Sequence, residues 1–226
     1  MKSLRRILIM AEMHGRDLTM RHAALALLVA LPLSFYLASI GNHHRAIVAG
    51  GVGMAFAISG ATLFSVLSSG EVDQRLVLSG YRPHELLLGR LVFLGPMGLT
   101  IGAGFAVLMS TVSHPARPWL TFVGVGAVAL QSIPFGLAVG AAVPRELEGT
   151  LVLIGVVGMQ LAAPTTSLVS HVLPFYGPQE LLSASMSGHG PIAVPLLLTF
   201  LYGFALLVIA RLLVGRRVAV ARHSRV

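Results

Sequence analysis

Cysteine is absent from this 226-residue chain, which removes disulfides, thiolate nucleophiles and thiolate metal sites from consideration. Lysine is almost absent too. Lys2 is the only one, so no G-x-x-x-x-G-K-[ST] phosphate loop exists and the chain is not a P-loop ATPase by itself. Charge of either sign is scarce, at 11% of residues against 55% hydrophobic. Soluble domains carry about 25% charged residues, and the mean hydropathy here is +0.85. A soluble chain of this length has nowhere to hide so much apolar side chain, so its outside must face lipid. The net charge of +8 would suggest nucleic acid if the basic residues formed a stripe on a polar surface. Instead they sit in short islands between apolar runs, as on the cytoplasmic face of a membrane protein.

A bilayer core of about 30 Å needs about 20 apolar residues in helix. Six stretches qualify: 23–40, 46–68, 91–112, 119–143, 151–173 and 191–214. Pro32 is expected to kink the first. The runs do not alternate with the period of two that a barrel strand needs, and helix satisfies its own backbone in lipid. Arg45 and Arg117 fall in alternate loops on one side, and the remaining Lys and Arg fall on the other. The positive-inside rule then puts both termini in the cytoplasm. Ahead of the spans, residues 1–22 place Leu4, Ile7, Leu8, Ala11 and Leu18 at helical spacing, with Arg5, Arg6, Glu12 and Arg16 between them. That pattern suits an amphipathic helix in the cytoplasmic interface, and the long charged region without a small-x-small site argues against a cleaved signal peptide. Residues 215–226 form a basic tail. The expected fold is an all-α integral membrane protein with six transmembrane helices.

Between the second and third stretches lies "EVDQRLVLSGYRPHELLLGRL", residues 71–91, too long and too charged for a minimal turn. Glu71–Leu78 reads as helix, Ser79-Gly80 as its stop, and Pro83 as the first turn of the next helix. These residues resemble the first cytoplasmic loop of type-2 ATP-binding-cassette exporter permeases, six-span subunits that include bacterial antibiotic and multidrug exporters. The family's loop opens on acids at the end of span two, forms a coupling helix and turns back into span three. Many members carry a Glu-basic-Glu triplet followed by Gly-Thr, whereas this chain has Glu71-Val72-Asp73. The resemblance implies an ATPase-coupling loop in which Glu71, Asp73, Arg75, Tyr81, Arg82, His84 and Glu85 are the candidate contacts. It implies a cytoplasmic ABC ATPase that binds ATP and Mg, a second permease copy or a related permease, and a small-molecule cargo. The cargo would be a hydrophobic or amphipathic drug, antibiotic or lipid leaving through a bacterial cytoplasmic membrane. No cofactor is expected on this chain.

A second loop, "PRELEGTLVL" at 144–153, partly repeats the first: Glu146 matches Glu71, Glu148 matches Asp73, and Leu151-Val152-Leu153 matches Leu76-Val77-Leu78. Arg145, Glu146 and Glu148 are candidate secondary contacts, or simply acids favoured at a positive helix N-terminus. Gln131 and Gln160 lie inside spans, where an unpaired amide is costly; they either line a pathway or bond to a neighbouring helix. Gly98/Gly102 and Gly136/Gly140 suit close helix packing. The outer segment 173–190, with Glu180 as its single charge, is expected to carry a short helix over 179–186 that dips into lipid.

No apolar stretch contains a mid-span acid or base, which counts against proton or sodium coupling and so against the alternative of an ATPase-independent secondary transporter or channel. The nine histidines form no ligand pattern. Ser59 and His171 lack the setting of an intramembrane serine protease, so no catalytic or metal site is expected.

Overall fold

The computed structural model describes residues 6–223, apart from 8, 14, 17–21, 144 and 164–166. Every regular element among them is helical: α1 (His22–Ala38), α2 (His43–Ser68), α3 (Gly70–Leu78), α4 (Pro83–Ser113), α5 (Pro118–Ala142), α6 (Glu146–Ala162), α7 (Leu168–Val172), α8 (Tyr176–Ser187) and α9 (Ala193–His223). Of the N-terminal segment, residues 6–7, 9–13 and 15–16 are helical; Leu4, Arg5, Leu8 and Leu18 lie outside the described residues.

Local chemistry sets these boundaries. Asn42 caps α2, its Oδ1 accepting the Arg45 N–H at 3.1 Å. Pro83 and Pro118 open α4 and α5, where their missing N–H is harmless. His114 ends α4 in the left-handed region at φ 46°, a conformation histidine tolerates better than most side chains. The fifth apolar stretch does not form one helix. Ala163 precedes Pro164, which disfavours helical backbone before it, and it turns extended at φ −71°, ψ 130°. The chain therefore leaves α6 at Ala162 and starts α7 only at Leu168.

Four helices, α2, α4, α5 and α9 through Arg216, are long and apolar enough to cross a membrane, and the chain is a membrane-embedded, multi-pass protein. Helices α1 and α6 have 17 residues each, about 26 Å at 1.5 Å per residue.

The core forms where α2 meets α5. A Cβ on Gly136 would lie 2.4 Å from the Ser59 carbonyl oxygen, and one on Gly140 would lie 3.0 Å from Val66 Cβ. Glycine is what lets these backbones touch, and Ser59 Oγ then donates to the Ser132 carbonyl at 3.1 Å. On its other side α2 receives α1, with Gly50 against Tyr36 and Gly53 against Phe35 and Pro32. Helices α4 and α9 flank α5, and α6 lies on α2.

Helix α8 packs against protein. Leu181 and Leu182 are fully buried, and Leu182 fills the notch that Gly51 and Gly124 leave between α2 and α5. Gly177 admits α9 as closely as the Pro195 carbonyl.

The two ends of the bundle differ. One gathers the end of α1 (Tyr36), the start of α2 (His43, His44), the end of α4 (Ser113) and α8. There Tyr36 Oη and Ser113 Oγ lie 2.7 Å apart, His44 Nε2 is 3.0 Å from Ser183 Oγ, and Arg117 N donates to the Ser185 carbonyl at 2.9 Å. The other end gathers the last turns of α2, α5 and α9 around α3 and the first turns of α4.

Candidate functional site: a charged elbow between α2 and α4

Helix α3 is a two-turn arm closed by a complete double hydrogen-bonded stop. Tyr81 N donates to the Leu76 carbonyl at 3.0 Å and Gly80 N to the Val77 carbonyl at 3.1 Å, with Gly80 left-handed at φ 92°. This pair of bonds satisfies carbonyls that a helix end would otherwise leave open. The chain reverses, and Glu85 Oε2 reaches back to accept the Arg82 N–H at 2.9 Å. That bond caps α4, which continues unbroken into its apolar run. The helix, glycine stop and proline restart read from the sequence are all present.

Three contacts fasten the arm. From inside, Arg90 on α4 is buried at 1% exposure; its Nη2 donates to Asp73 Oδ2 at 2.6 Å and to Ser69 Oγ. Ser69 Oγ also donates to the Ser65 carbonyl at 2.7 Å, so the pair ties α3 and α4 to the end of α2. Among the described residues Asp73 Oδ1 and Arg90 Nε have no hydrogen-bond partner, and both residues border a cavity of about 100 Å³ that Val66, Ala141 and Val214 close. From outside, Arg6 donates Nη1 to the Gly80 carbonyl at 3.0 Å. Its guanidinium lies 5.0 Å over the Tyr81 ring and 3.6 Å from Glu85 Oε2. Beneath it, Met10 packs with Val77, Leu86, Leu76 and Tyr81 in a small separate core. The segment crosses α4 at Gly89, where a Cβ would meet Met10 Cβ at 2.7 Å. The N-terminal segment therefore docks on protein at the elbow.

The candidate contacts divide by this geometry. Asp73 faces Arg90, and Glu85 is buried at 3% exposure; neither presents its carboxylate to solvent. Tyr81 and His84 are half-buried, while Arg75 and Arg82 are exposed. The Glu71 side chain lies outside what the structure describes. By helical register Glu71 shares a face with Gln74, Arg75 and Leu78, and of these Leu78 is 62% exposed. The sequence did not mark Arg6 or Met10 as part of this site, and it held Arg90 within the charged loop without naming it as a contact. The available signal was Arg90 itself, a lone cation at the mouth of an apolar run, which has to find an acid or leave the bilayer.

Arg145, Glu146 and Glu148 are all exposed at the start of α6. Arg145 Nη1 donates to Glu148 Oε1 at 2.7 Å within the first turn, and Leu147 is 73% exposed. The two matching sequences occupy different contexts: "EVDQRLVL" is nearly all of the short helix α3, whereas "ELEGTLVL" is the first half of α6. Pro144 lies outside the described residues.

Gln131 and Gln160 both bond to the segment that carries α8. Gln131 Nε2 donates to the Pro174 carbonyl, and Gln160 Nε2 to Gln179 Oε1 at 2.7 Å. Gln131 also borders a groove between α4, α5 and α9; Gln160 does not. Ser59 and His171 are not brought together, since the serine bonds to α5 and His171 stacks on Tyr176 at 4.3 Å. Compared with protein-family models and with curated proteins, the chain matches none.

Proposed function

We propose that the chain is the permease subunit of an ATP-binding-cassette exporter, driven by a separately encoded ATPase that binds ATP and Mg. In this reading all six apolar segments span a bacterial cytoplasmic membrane, with α1 and α6 as the two shorter spans. Both termini and the elbow face the cytosol, and two permeases, identical or related, pair around a pathway. One observation carries the reading. The elbow is a stopped, capped helix fastened by buried charge to the ends of α2 and α4, which suits an element that receives a push and passes it on. A loose loop would absorb such a push. The basic side chains also collect at the elbow end, as they do on a cytosolic face.

The outward face of α3, rather than its acids in general, would meet the ATPase, with Glu71, Gln74, Arg75 and Leu78 in register. Asp73 and Glu85 act on the elbow from within. Closure of paired ATPases would press on α3 and rock α2 and α4 as stiff bodies, a recurrent form of alternating access. The class of cargo is a hydrophobic or amphipathic small molecule such as a drug, antibiotic or lipid.

The ATPase-independent alternative lacks a midplane ionisable group of the kind ion-coupled carriers use. Among the described residues the buried charged side chains are Glu85 and Arg90, both in the first turns of α4. The deciding experiment is affinity purification of the full chain from its native host. A Walker-type ATPase should copurify, and Glu71→Arg together with Leu78→Asp should release it. Absence of any ATPase, with transport intact in that double variant, defeats the proposal.

A further inference from the structure

Between α4, α5 and α9 runs a groove of about 490 Å³, within the roughly 300–1,000 Å³ typical of small-molecule sites. Its walls are almost wholly carbon, with Leu91 from α4, Leu130 from α5 and Phe200, Phe204 and Leu207 from α9, and among the described residues no charged one lines it. Two bordering glycines keep it wide. A Cβ on Gly203 would meet nothing within 4 Å, and one on Gly126 only Leu99 Cδ2 at 3.9 Å.

The polar side chains on this wall are those of Gln131 and Thr199, and one backbone position adds to them. Pro134 sits inside α5 and borders the groove. It has no N–H to offer the carbonyl four residues earlier, that of Leu130, whose residue also lines the groove. Leu130 is midway between Pro118 and Ala142, about 18 Å of helix from either end. A carbonyl without its usual donor is expensive at that depth. Nearby side-chain donors point elsewhere: Ser132 Oγ to the Val128 carbonyl, Ser59 Oγ to that of Ser132, and Gln131 Nε2 to that of Pro174.

We infer that the groove binds a small, uncharged, mainly apolar molecule carrying one hydroxyl or N–H donor, taken sideways from the lipid phase. The donor meets the Leu130 carbonyl and the hydrocarbon lies against Phe200 and Phe204. A bare acyl chain would leave that carbonyl unmet, and an ion would have no counter-charge. Identifying this ligand as cargo rests on the exporter reading; binding itself does not.

The test uses the purified full chain in nanodiscs, titrated with N-phenyl-1-naphthylamine, an apolar fluorophore with a single N–H. Saturable enhancement above empty nanodiscs is expected. It should weaken about tenfold in Gly203→Leu and stay unchanged in Gly155→Leu, because Gly155 is equally unobstructed but lies on α6. The N-methyl analogue should bind roughly five- to tenfold more weakly, the share of one hydrogen bond. Absence of saturable binding, an unaltered curve in Gly203→Leu, or equal affinity for the N-methyl analogue overturns the inference. So does a changed oligomeric state of Gly203→Leu by light scattering, which would give the groove to a second copy. Binding that persists when no ATPase copurifies retains the groove and removes the exporter reading.

Discussion

Arg90 is bonded through Nη2 to Asp73 and Ser69, while its Nε and Asp73 Oδ1 have no partner among the described residues. Removing one member of a buried pair strands the other, at a cost of about 3–5 kcal/mol. Arg90→Ala should therefore lower the unfolding temperature sharply in detergent, as should Asp73→Leu. The double variant Asp73→Leu/Arg90→Met should lie nearer the parent than either single change, a non-additivity that a double-mutant cycle measures. At Gly80, φ 92° penalises any side chain. Gly80→Ala should cost about 1–2 kcal/mol and speed amide hydrogen exchange at Gly80 and Tyr81, leaving α5 protected. The turn at Gly80 was legible because glycine takes the left-handed backbone of a helix stop without the strain a side chain would bring. The inward turn of Asp73 was not: in a linear reading it and Glu71 are equivalent acids two residues apart. Only the angle between α3 and α4 decides which of them meets Arg90.

Helix α4 runs 31 residues from Pro83 to Ser113, about 46 Å, so the returning arm of the elbow and a span are one continuous helix. Composition separates these two parts into charged loop and apolar run, because hydropathy reports solvent and not backbone continuity. The break after α6 has the opposite cause. Residues 151–173 contain no Asp, Glu, Lys or Arg, and the local effect of Pro164 on Ala163 ends the helix. Burial of α8 was illegible for a third reason: its docking depends on glycines from two distant helices, Gly51 and Gly124, that frame Leu182. Leu182→Ala should leave a cavity costing about 2–5 kcal/mol. Between α2 and α5, Gly136→Val drives a side chain into the Ser59 backbone and should prevent assembly. Gly158→Val on α6, where a Cβ meets nothing within 4 Å, should fold as the parent does. Thermal aggregation followed by size-exclusion chromatography separates the two.

The whole molecule places α3 and α8 at opposite ends of the bundle. Because the chain has no cysteine, single thiols report on sidedness without background. Ser79→Cys in intact cells should resist a membrane-impermeant maleimide and react once the cells are opened, while Ser187→Cys should react at once. The reverse pattern would put the elbow outside and leave no cytosolic ATPase able to reach it. Membrane character and the pairing of Gly136 and Gly140 with a neighbour were plain from the sequence. That the neighbour is α2 was not, since small-residue spacing marks a face and not its partner. The position of α5 has a consequence for biosynthesis. It leaves the ribosome after α1, α2 and α4, yet it is the helix on which α2 and α4 close. Until it is inserted, Ser59 lacks the Ser132 carbonyl it bonds, and Gly98 and Gly102 lack Ala129. A chain halted before Pro118 would present that unfinished surface to membrane quality-control proteases.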